Sequence, residues 1–344
     1  MRGSRRVNRL LQRTSSLLGS RVAVLMYHRV YETSVDPWGT CVSPANFDQQ
    51  MEYLSRRHTV LSVPRVVELL AAGRLPKRAV SLTFDDGYRD NLSTAKPILE
   101  RWDLPATFFV STGFMDGSRE FWWDELSRVL LEPGSLPRTF DVGPGIEADR
   151  WELGDSAVYT EEECLRHEAW SVRQQHDPTP RHALLRALNE RIYLLPQPEK
   201  RRVLDRLFEW SGMSSDGRRS HRTLTPDELI EVERGGLIDI GGHSVTHPVL
   251  SALPLDAQRE EITKNKSELE EILGHPVRSF AYPHGAYSRE TAAAVRHAGF
   301  ESAVTVENAP LRIGTDPFEL PRVHSGDWDG DEFGRRLEER LRFH

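Results

Sequence analysis

The stretch AVSLTFDDGYRDN, residues 79–91, decides how the rest of the chain is interpreted. It begins as an apolar run typical of a buried strand and ends in two adjacent carboxylates and a glycine. Ionised carboxylates at that spacing repel each other and resist desolvation, so their presence needs a reason. On its own the stretch favours a simple polar turn, because Asp and Gly are common turn residues. The remaining clusters of the chain decide between a turn and a functional site.

The composition indicates a globular protein and gives no reason to expect a nucleic-acid partner. Of 344 residues, 38% are hydrophobic and 28% are charged, and the net charge is −7. Cys41 and Cys164 have no metal-type spacing, which is consistent with a reducing, cytoplasmic compartment. The early apolar run from Val22 to Tyr27 is too short for a membrane span or a signal peptide, and it predicts a strand.

The N-terminal segment 1–20 is basic and weakly amphipathic. Residues 1–31 contain seven arginines and no acidic residue. Apolar side chains recur at roughly helical spacing, at Val7, Leu10, Leu11, Leu17 and Leu18. A short helix docked on its own domain, or a loose tail, is the favoured interpretation. A weak contact with a membrane surface is the alternative.

Strand-like and helix-like stretches alternate along most of the chain. The strand-like ones are RVAVLMYHRV, RAVSLTFDD, PATFFVST, LIDIGGHS, RSFAYP and FESAVTV. Amphipathic stretches with helix caps lie between them, for example NFDQQMEYLSRR, capped by Asn46, and TPDELIEVERGG, capped by Thr225. This alternation predicts an α/β fold with a parallel sheet or barrel and helices outside it.

The alternation is interrupted between Gly117 and about Arg222. This segment begins with FWWDELSRVLLEPG, becomes charged and proline-punctuated, and then shows helical patterns around RHALLRALNERIYLL and EKRRVLDRLFEWSG. Because the βα pattern resumes directly afterwards, residues 117–222 are predicted to be a mostly helical insertion in one loop. The barrel is then discontinuous, formed by residues 21–116 and 223–344.

A pair of histidines follows a later predicted strand. In GGHSVTHPVLS, His243 and His247 are four residues apart. If a helical turn follows, both imidazoles can chelate one metal ion, although paired surface histidines without a metal are as common. With one carboxylate of the Asp pair they would form a set of three ligands for zinc or a similar ion, leaving positions open for water and substrate. The second carboxylate would be free to act as a general base. A bound cation would also remove the repulsion between the two carboxylates.

Further polar clusters follow other predicted strands. SFAYPHGAYS suits a rigid loop with an exposed backbone N–H, or a plain turn, and ELPRVHSGDWDG offers Arg322, His324 and Trp328. A lone histidine such as His28, at the end of the first strand, is more often structural than catalytic. Placement favours function, because the ends of predicted strands carry Asp85, Asp86, His243, Tyr282, His28 and His324. In a parallel barrel these ends converge on the catalytic face.

These residues resemble the motifs of a known family, the polysaccharide deacetylases with the NodB-homology domain (carbohydrate esterase family 4). TFDDG at 83–87 resembles the first motif of that family, HSVTH at 243–247 the second and FAYPHG at 280–285 the third. MYHRV at 26–30 and LPRV at 320–323 are similar to flanking segments in one branch of it.

The resemblance covers residues 21–116 and 223–340, and it implies a fold, an activity and residue roles. The implied fold is a distorted (β/α)7, TIM-like barrel, and the implied activity is hydrolytic removal of acetyl groups from a sugar. By this resemblance Asp85 is the general base, and a divalent metal is held by Asp86, His243 and His247. Zinc is the expected metal, with Co2+, Ni2+ or Mn2+ as alternatives. The expected substrate contacts are His28, Tyr282, Pro283, His284, Gly285, Arg322 and Trp328.

Three departures from the family pattern matter. Many members carry, in the third motif, an arginine that pairs with the base; Ala281 stands there, and Arg322 is a hypothetical replacement from the neighbouring loop. His284 stands where the family usually has tyrosine, but the implied contact to the oxyanion comes from a backbone N–H nearby. The family's last motif supplies a histidine as general acid, and PRVH matches it imperfectly through His324. His324 is the preferred acid, with His28 and His284 as alternatives.

The sequence therefore predicts a metal-dependent deacetylase acting on an acetylated glycan, a bacterial polysaccharide or its precursor, with N-acetyl groups preferred. One alternative is the same barrel hydrolysing another amide or an O-acetyl ester. The other is a non-catalytic relative that binds glycan or serves as a scaffold, which the missing third-motif arginine supports. For Trp122 and Trp123 of the insertion, stacking on sugar rings is one interpretation, and anchoring of the insertion on the barrel is the favoured one.

Overall fold

The strand predicted from the opening stretch lies in the middle of a parallel sheet. The computed structural model describes residues 21–141 and 150–343. Residues 79–84 form a strand of six buried residues with parallel neighbours on both sides. A strand covered on both faces needs a nearly continuous apolar run, which AVSLTF provides. The basic segment 1–20 lies outside the described residues, and its expected docking or membrane contact stays a prediction.

The strands, numbered in chain order, are β1 (Arg21–Tyr27), β2 (Arg29–Val30), β3 (Cys41–Val42), β4 (Thr59–Val60), β5 (Ala79–Phe84), β6 (Ala106–Val110), β7 (Gly134–Ser135), β8 (Thr139–Asp141), β9 (Arg150–Glu152), β10 (Val158–Tyr159), β11 (Ile238–Gly242), β12 (Ser279–Ala281), β13 (Ser302–Val304), β14 (Leu311–Arg312) and β15 (Val323–His324). The main sheet has the order β13-β12-β11-β6-β5-β1-β14, with β4 beside β5 and β15 beside β1. Neighbouring strands in it run parallel, except that β14 is antiparallel to β1.

A short segment near the C-terminal end of the sheet joins β13 to β1. Leu320 forms a parallel bridge with Val304, and its N–H donates to the carbonyl of Ala303 at 3.0 Å. A few residues later β15 pairs with β1, with Val323 opposite Leu25. The sheet therefore curls into the distorted barrel that the sequence predicted. The predicted fold class, α/β with a helical insertion, is confirmed.

The α-helices span Pro44–Arg57, Val63–Ala71, Lys96–Trp102, Trp122–Leu131, Glu161–Arg166, Pro180–Tyr193, Gln197–Ser211, Pro226–Glu233, Leu255–Leu273, Arg289–His297 and Gly330–Phe343. Single turns of other helix types cover Asn91–Ala95, Thr112–Phe114, Gly154–Ala157, Leu250–Ala252 and Pro283–Gly285. The cap expected at Thr225 is confirmed, with a complete capping box. The cap expected at Asn46 is wrong, because the helix begins at Pro44 and Ser43 caps it by accepting the Asn46 N–H. In residues 21–141 and 150–343, no helix is long and apolar enough to cross a bilayer.

The helices that follow β6 pack around a hydrophobic cluster of their own. Its buried members come mainly from Trp122–Leu131, Pro180–Tyr193 and Gln197–Ser211. Tyr88, which directly follows the TFDDG motif, is buried in the same cluster. The inserted helices are thus anchored beside the ends of the barrel strands. The boundaries 117–222 for this insertion stay a prediction.

One buried side chain ties the longest helix to the ends of two central strands. Asn265, on Leu255–Leu273, is fully buried. Its Oδ1 accepts the backbone N–H of His243 at 3.0 Å, and its Nδ2 donates to the carbonyls of Val110 at 3.0 Å and Ser244 at 2.8 Å. These backbone groups lie where β6 and β11 end, so the amide holds the two strand ends at a fixed separation.

We expect Asn265→Ala to lower the free energy of unfolding by about 2–4 kcal/mol, because it removes three buried hydrogen bonds, each worth about 0.5–1.5 kcal/mol. Lys264→Ala, at the exposed neighbouring position, should change it by less than about 0.5 kcal/mol. Urea unfolding followed by circular dichroism measures both. Equal effects of the two substitutions would contradict the proposed role of the amide.

Candidate active site

A cavity of about 480 Å³ opens at the C-terminal ends of the barrel strands, where the predicted functional residues were expected to meet. The predicted residues on its wall are His28, Asp85, Asp86, His243, His247, His284 and His324. They come from β1, β5, β11, β12 and β15 or from the loops that directly follow these strands. The structure therefore brings together residues that are up to 296 positions apart in the chain.

Asp86, His243 and His247 form a compact buried group with the geometry of a metal site. The two Nε2 atoms are 3.1 Å apart, and they lie 3.5 Å and 3.2 Å from Asp86 Oδ1, respectively. In a tetrahedral zinc site, with bonds of about 2.0–2.1 Å, ligand atoms are separated by about 3.3 Å. The donor set, two imidazole nitrogens and one carboxylate oxygen, is one that zinc accepts. The residues therefore fit a divalent metal.

His243 is oriented by a hydrogen bond from its other ring nitrogen. Its Nδ1 donates to the carbonyl of Ala281 at 2.8 Å, which turns Nε2 toward Asp86. Burial opposes the charged imidazole, but the hydrogen bond to Asp86 and the charges of Asp85 and Asp86 raise the pKa of His243 above its usual value. A second hydrogen bond of this kind is typical of metal-binding histidines.

The two histidines do not lie on a helical turn, so the condition considered for their spacing is not met, although their rings still come together. Residues 243–249 form an irregular loop, in which Ser244 Oγ accepts the His247 N–H at 3.1 Å. Glu261, on the longest helix, accepts the backbone N–H groups of Val245 at 2.9 Å and Thr246 at 2.8 Å. The loop is therefore held by side chains instead of helical hydrogen bonds, and a spacing of four residues alone could not reveal this.

Left-handed backbone is concentrated around this group. Positive φ occurs at Asp86 (74°), Ser244 (63°), His247 (53°) and His284 (57°). Each such residue other than glycine costs roughly 1–3 kcal/mol, and strain of this kind clusters at functional sites. The surrounding hydrogen bonds evidently hold these side chains in directions that a relaxed backbone would not give them.

Asp85 has a different partner from its neighbour Asp86. Both its oxygens accept from Arg322, with Nη1–Oδ1 and Nη2–Oδ2 distances of 2.7 Å. Arg322 is fully buried, and its Nε and Nη1 also donate to Thr305 O and Thr83 Oγ1. Burial disfavours the carboxylate, but the arginine outweighs it and lowers the pKa of Asp85. The arginine absent at Ala281 is thus replaced from the next loop, as hypothesised. Because the guanidinium of Arg322 is already paired with Asp85, the structure does not support its expected contact with substrate.

Asp86 is held ionised by the histidines. Burial again opposes the charge, but hydrogen bonds with His243 and His247 hold the pKa of Asp86 well below its usual value. The two adjacent carboxylates therefore face different groups, one a guanidinium and the other two imidazoles.

The histidines proposed as general acid all line the cavity. Burial, followed by the charges of His28 and Arg173, lowers the pKa of His324 to about 4. Burial and the neighbouring His247 hold the pKa of His284 well below its usual value. The rings of His284 and His247 have centroids 4.4 Å apart, and His284 Nε2 is buried without a hydrogen-bond partner in the described part of the chain.

Several residues expected to contact substrate do not lie on this wall. Tyr282 is fully buried, and its hydroxyl donates to Phe318 O at 3.0 Å. Pro283 is buried beneath the turn, and Gly285 packs so closely on Val306 that a Cβ atom would collide with it. Trp328 lines a separate depression beside the cavity. These residues shape the turn or a neighbouring surface. A sequence motif alone does not show whether such a residue has a structural role or contacts a ligand.

The insertion supplies a wall that sequence reasoning largely missed. Trp122, Trp123, Arg173, Asn189 and Tyr193 line the cavity, as does Trp38 from the loop between β2 and β3. The two adjacent tryptophans are 4% and 7% exposed and also belong to the hydrophobic cluster of the insertion. Stacking and anchoring are therefore both compatible with their position. The FWW triplet was the sequence signal, whereas nothing in the sequence marked Asn189 or Tyr193.

Trp122 and Trp123 are held differently. Trp123 Nε1 donates to the Tyr88 hydroxyl at 2.9 Å, which donates in turn to Asp124 at 2.6 Å. Trp122 Nε1 is buried with no hydrogen-bond partner within the described residues. Lys200, also buried, places its Nζ 5.1 Å from the Trp122 ring, and burial lowers the pKa of this lysine to about 8.

Comparison with known proteins identifies related sequences and folds. The family model described as polysaccharide deacetylase matches residues 72–136 and 209–303. A poly-beta-1,6-N-acetyl-D-glucosamine N-deacetylase of Staphylococcus aureus is 30% identical over 121 residues, covering 31% of this chain. The match spans only 42% of the length of that relative.

Two solved structures share the fold over nearly the whole chain. A deacetylase of Streptococcus pyogenes in complex with acetate has a TM-score of 0.58 at 19% identity, covering 94% of this chain and 99% of that one. IcaB from Ammonifex degensii has a TM-score of 0.56 at 19% identity, covering 94% and 98%. At such identity the likeness concerns the fold, and it supports the distorted barrel.

We expect Arg322→Ala to destabilise the protein by about 3–5 kcal/mol at pH 7, because Asp85 is left buried and unpaired. The pKa of Asp85 is lowered in the folded state, so the stability due to the pair is present above the unfolded pKa of about 3.9 and lost as pH falls through the folded value. Urea unfolding at several pH values should show that the difference in unfolding free energy between Arg322→Ala and the unchanged protein becomes smaller in acid. Arg296→Ala breaks an exposed pair with Asp316 and should cost less than about 1 kcal/mol. An equal cost for both substitutions would contradict this account.

Proposed function

The chain belongs to the polysaccharide deacetylase family, and from that premise we propose that it is a metal-dependent hydrolase that removes acetyl groups, N-acetyl groups above all, from a sugar of a bacterial polysaccharide or glycan precursor. One observation carries the proposal. An ionised carboxylate, fixed by a buried arginine, adjoins a group of two histidines and one aspartate that fits a divalent metal. A base beside a metal group on the wall of a cavity is an arrangement that can hydrolyse an amide.

Asp86, His243 and His247 are the proposed ligands of Zn2+, with Co2+, Ni2+ or Mn2+ as alternatives. The ion would supply Lewis-acid polarisation of the acetyl carbonyl. The Nδ1 bond to Ala281 O orients the ring of His243 so that Nε2 would be its ligand atom.

Asp85 is the proposed general base. Its carboxylate is ionised at neutral pH, and Arg322 holds it in one orientation at the cavity wall. Each carboxylate oxygen has a second lone pair that the guanidinium does not use. Asp85 can therefore take a proton from the water that attacks the acetyl carbon, while the backbone N–H near His284 would donate to the oxyanion that forms.

His324 is the proposed proton donor to the leaving amine. In the free protein its pKa of about 4 makes it neutral at pH 7, so it can donate only after it has received a proton within the site. His28 and His284 lie on the same wall and are the alternatives. Sugar rings would pack against Trp38, Trp122 and Tyr193, because flat aromatic faces suit the apolar faces of sugars.

We expect the protein to bind one Zn2+ per chain at the proposed ligands, and His243→Ala or His247→Ala to weaken binding by more than about 100-fold, since losing even an outer contact costs 10–100-fold. Isothermal titration with Zn2+ on metal-stripped protein measures this. His297→Ala, at an exposed histidine of the helix Arg289–His297, is the matched control and should bind as the unchanged protein does. Unaltered zinc binding in both variants would remove the proposed metal site.

We expect acetate to be released from N-acetylglucosamine oligomers by the zinc-loaded protein but not after metal removal, and Asp85→Asn to lower the rate by about 100-fold or more. The variant should still bind zinc, because Asp85 is not a proposed ligand. Asp256→Asn, at an exposed aspartate, should leave the rate unchanged. An enzymatic acetate assay over several N- and O-acetyl sugars provides the measurement. Zinc binding without acetate from any substrate would favour the glycan-binding alternative.

A further inference from the structure

A second depression adjoins the candidate active-site cavity and carries positive charge, although the whole chain has a net charge of −7. It has a volume of about 410 Å³. It shares two wall residues, His324 and Arg173, with the candidate cavity, so the two spaces are neighbours on either side of these side chains. A ligand that spans His324 would contact both spaces.

Three arginines from two distant elements line the depression. Arg173 belongs to a loop of the insertion, and Arg336 and Arg340 belong to the helix Gly330–Phe343. The last two are four residues apart, so they project from the same face of the helix. Glu339 is the acidic residue that lines the depression with them, and its carboxylate lies 3.8 Å from Arg335. Among the lining residues, positive charges thus exceed negative ones by two, and Glu332 outside the lining pairs with one of them, Arg336.

The guanidinium groups are largely unused by the protein itself. Within residues 21–141 and 150–343, those of Arg173 and Arg340 make no hydrogen bond or ion pair. Arg336 gives its Nε to Glu332 at 2.6 Å and lies 4.5 Å over the ring of Trp328, which leaves its two terminal amino groups for a ligand. Stacking on the tryptophan fixes the plane of this guanidinium at little further cost in entropy.

The positive charge extends to the shared wall. The pKa of His324 is lowered by burial first, and the charges of His28, Arg173 and Arg322 lower it further. The positive charge of Arg173 therefore acts on His324, which also lines the candidate active site. No residue of the proposed hydrolytic machinery needs Arg173, Arg336 or Arg340, so the chemistry proposed above does not explain this cluster.

We propose that this depression binds a phosphate group carried by the acetylated sugar, so that the substrate is a phosphorylated glycan or glycan precursor; this rests on the proposed function. A phosphate monoester bears a charge of about −1.5 to −2 at pH 7, which matches the excess of two positive charges. Its oxygens accept the paired N–H groups of arginine in a bidentate manner. Because His324 borders both spaces, one ligand that spans it would have its phosphate in the depression and its acetyl group at the candidate active site.

The test compares binding of N-acetylglucosamine 1-phosphate and methyl N-acetylglucosaminide to the zinc-loaded full chain by isothermal titration. We expect the phosphorylated sugar to bind more tightly, and sodium chloride to reduce the difference. Arg173→Ala and Arg340→Ala should each weaken its binding by about threefold to fivefold, the value of one exposed charge pair. Arg340→Ala, which lies outside the candidate active-site cavity, should leave binding of the methyl glycoside unaffected. Arg335→Ala, on the same helix but outside the depression, is the matched control.

Each outcome decides the proposal. Equal affinity of the unchanged protein for the two sugars would overturn it. So would equal affinity of Arg173→Ala, Arg340→Ala and the unchanged protein for the phosphorylated sugar, because the phosphate would then bind elsewhere, for instance at the zinc ion. Absence of binding by either sugar would also overturn it. Selective binding that is lost in the arginine variants would support it even if no acetate were released, in which case the proposed hydrolysis would fail alone.

Discussion

The buried ion pair between Asp85 and Arg322 is the constraint on which the rest of the site depends. It joins the end of the central strand β5 to the segment that connects β13 with β1. Because both groups are almost completely removed from water, the pair must be well made to repay its desolvation. The remaining bonds of Arg322, to Thr305 O and Thr83 Oγ1, achieve this within the sheet. One guanidinium thus closes the barrel and fixes the charge of the proposed base.

The two adjacent aspartates are tolerated because their environments differ. Asp85 faces a guanidinium on one side of the strand end, whereas Asp86, with left-handed backbone, turns toward His243 and His247. Each negative charge therefore has its own positive or polar partner, and both pKa values are lowered in spite of burial. Pairs of carboxyl groups held apart in this way usually divide two roles between them. The backbone turn at Asp86 is what separates the roles proposed here.

The sequence was sufficient to predict the strands and helices of the barrel, because the signals for these elements are local. The apolar run before Asp85 and the cap at Thr225 are each set by a few neighbouring residues, and both match the structure. It was also sufficient to place His243 beside Asp86, since parallel strands end at one edge. The sequence did not predict the positions of side chains that depend on long-range packing. Whether Tyr282 faces a ligand or the core, and whether Tyr193 reaches the cavity, depends on how the insertion and the turn settle against the barrel.

The distance in sequence between Asp85 and Arg322 has a consequence for how the protein is made. They are 237 residues apart, and the whole insertion is synthesised between them. During synthesis the aspartate leaves the ribosome long before its arginine, and a lone carboxylate cannot be buried at little cost. The nascent barrel must therefore stay open at the end of β5 until residues 320–324 arrive.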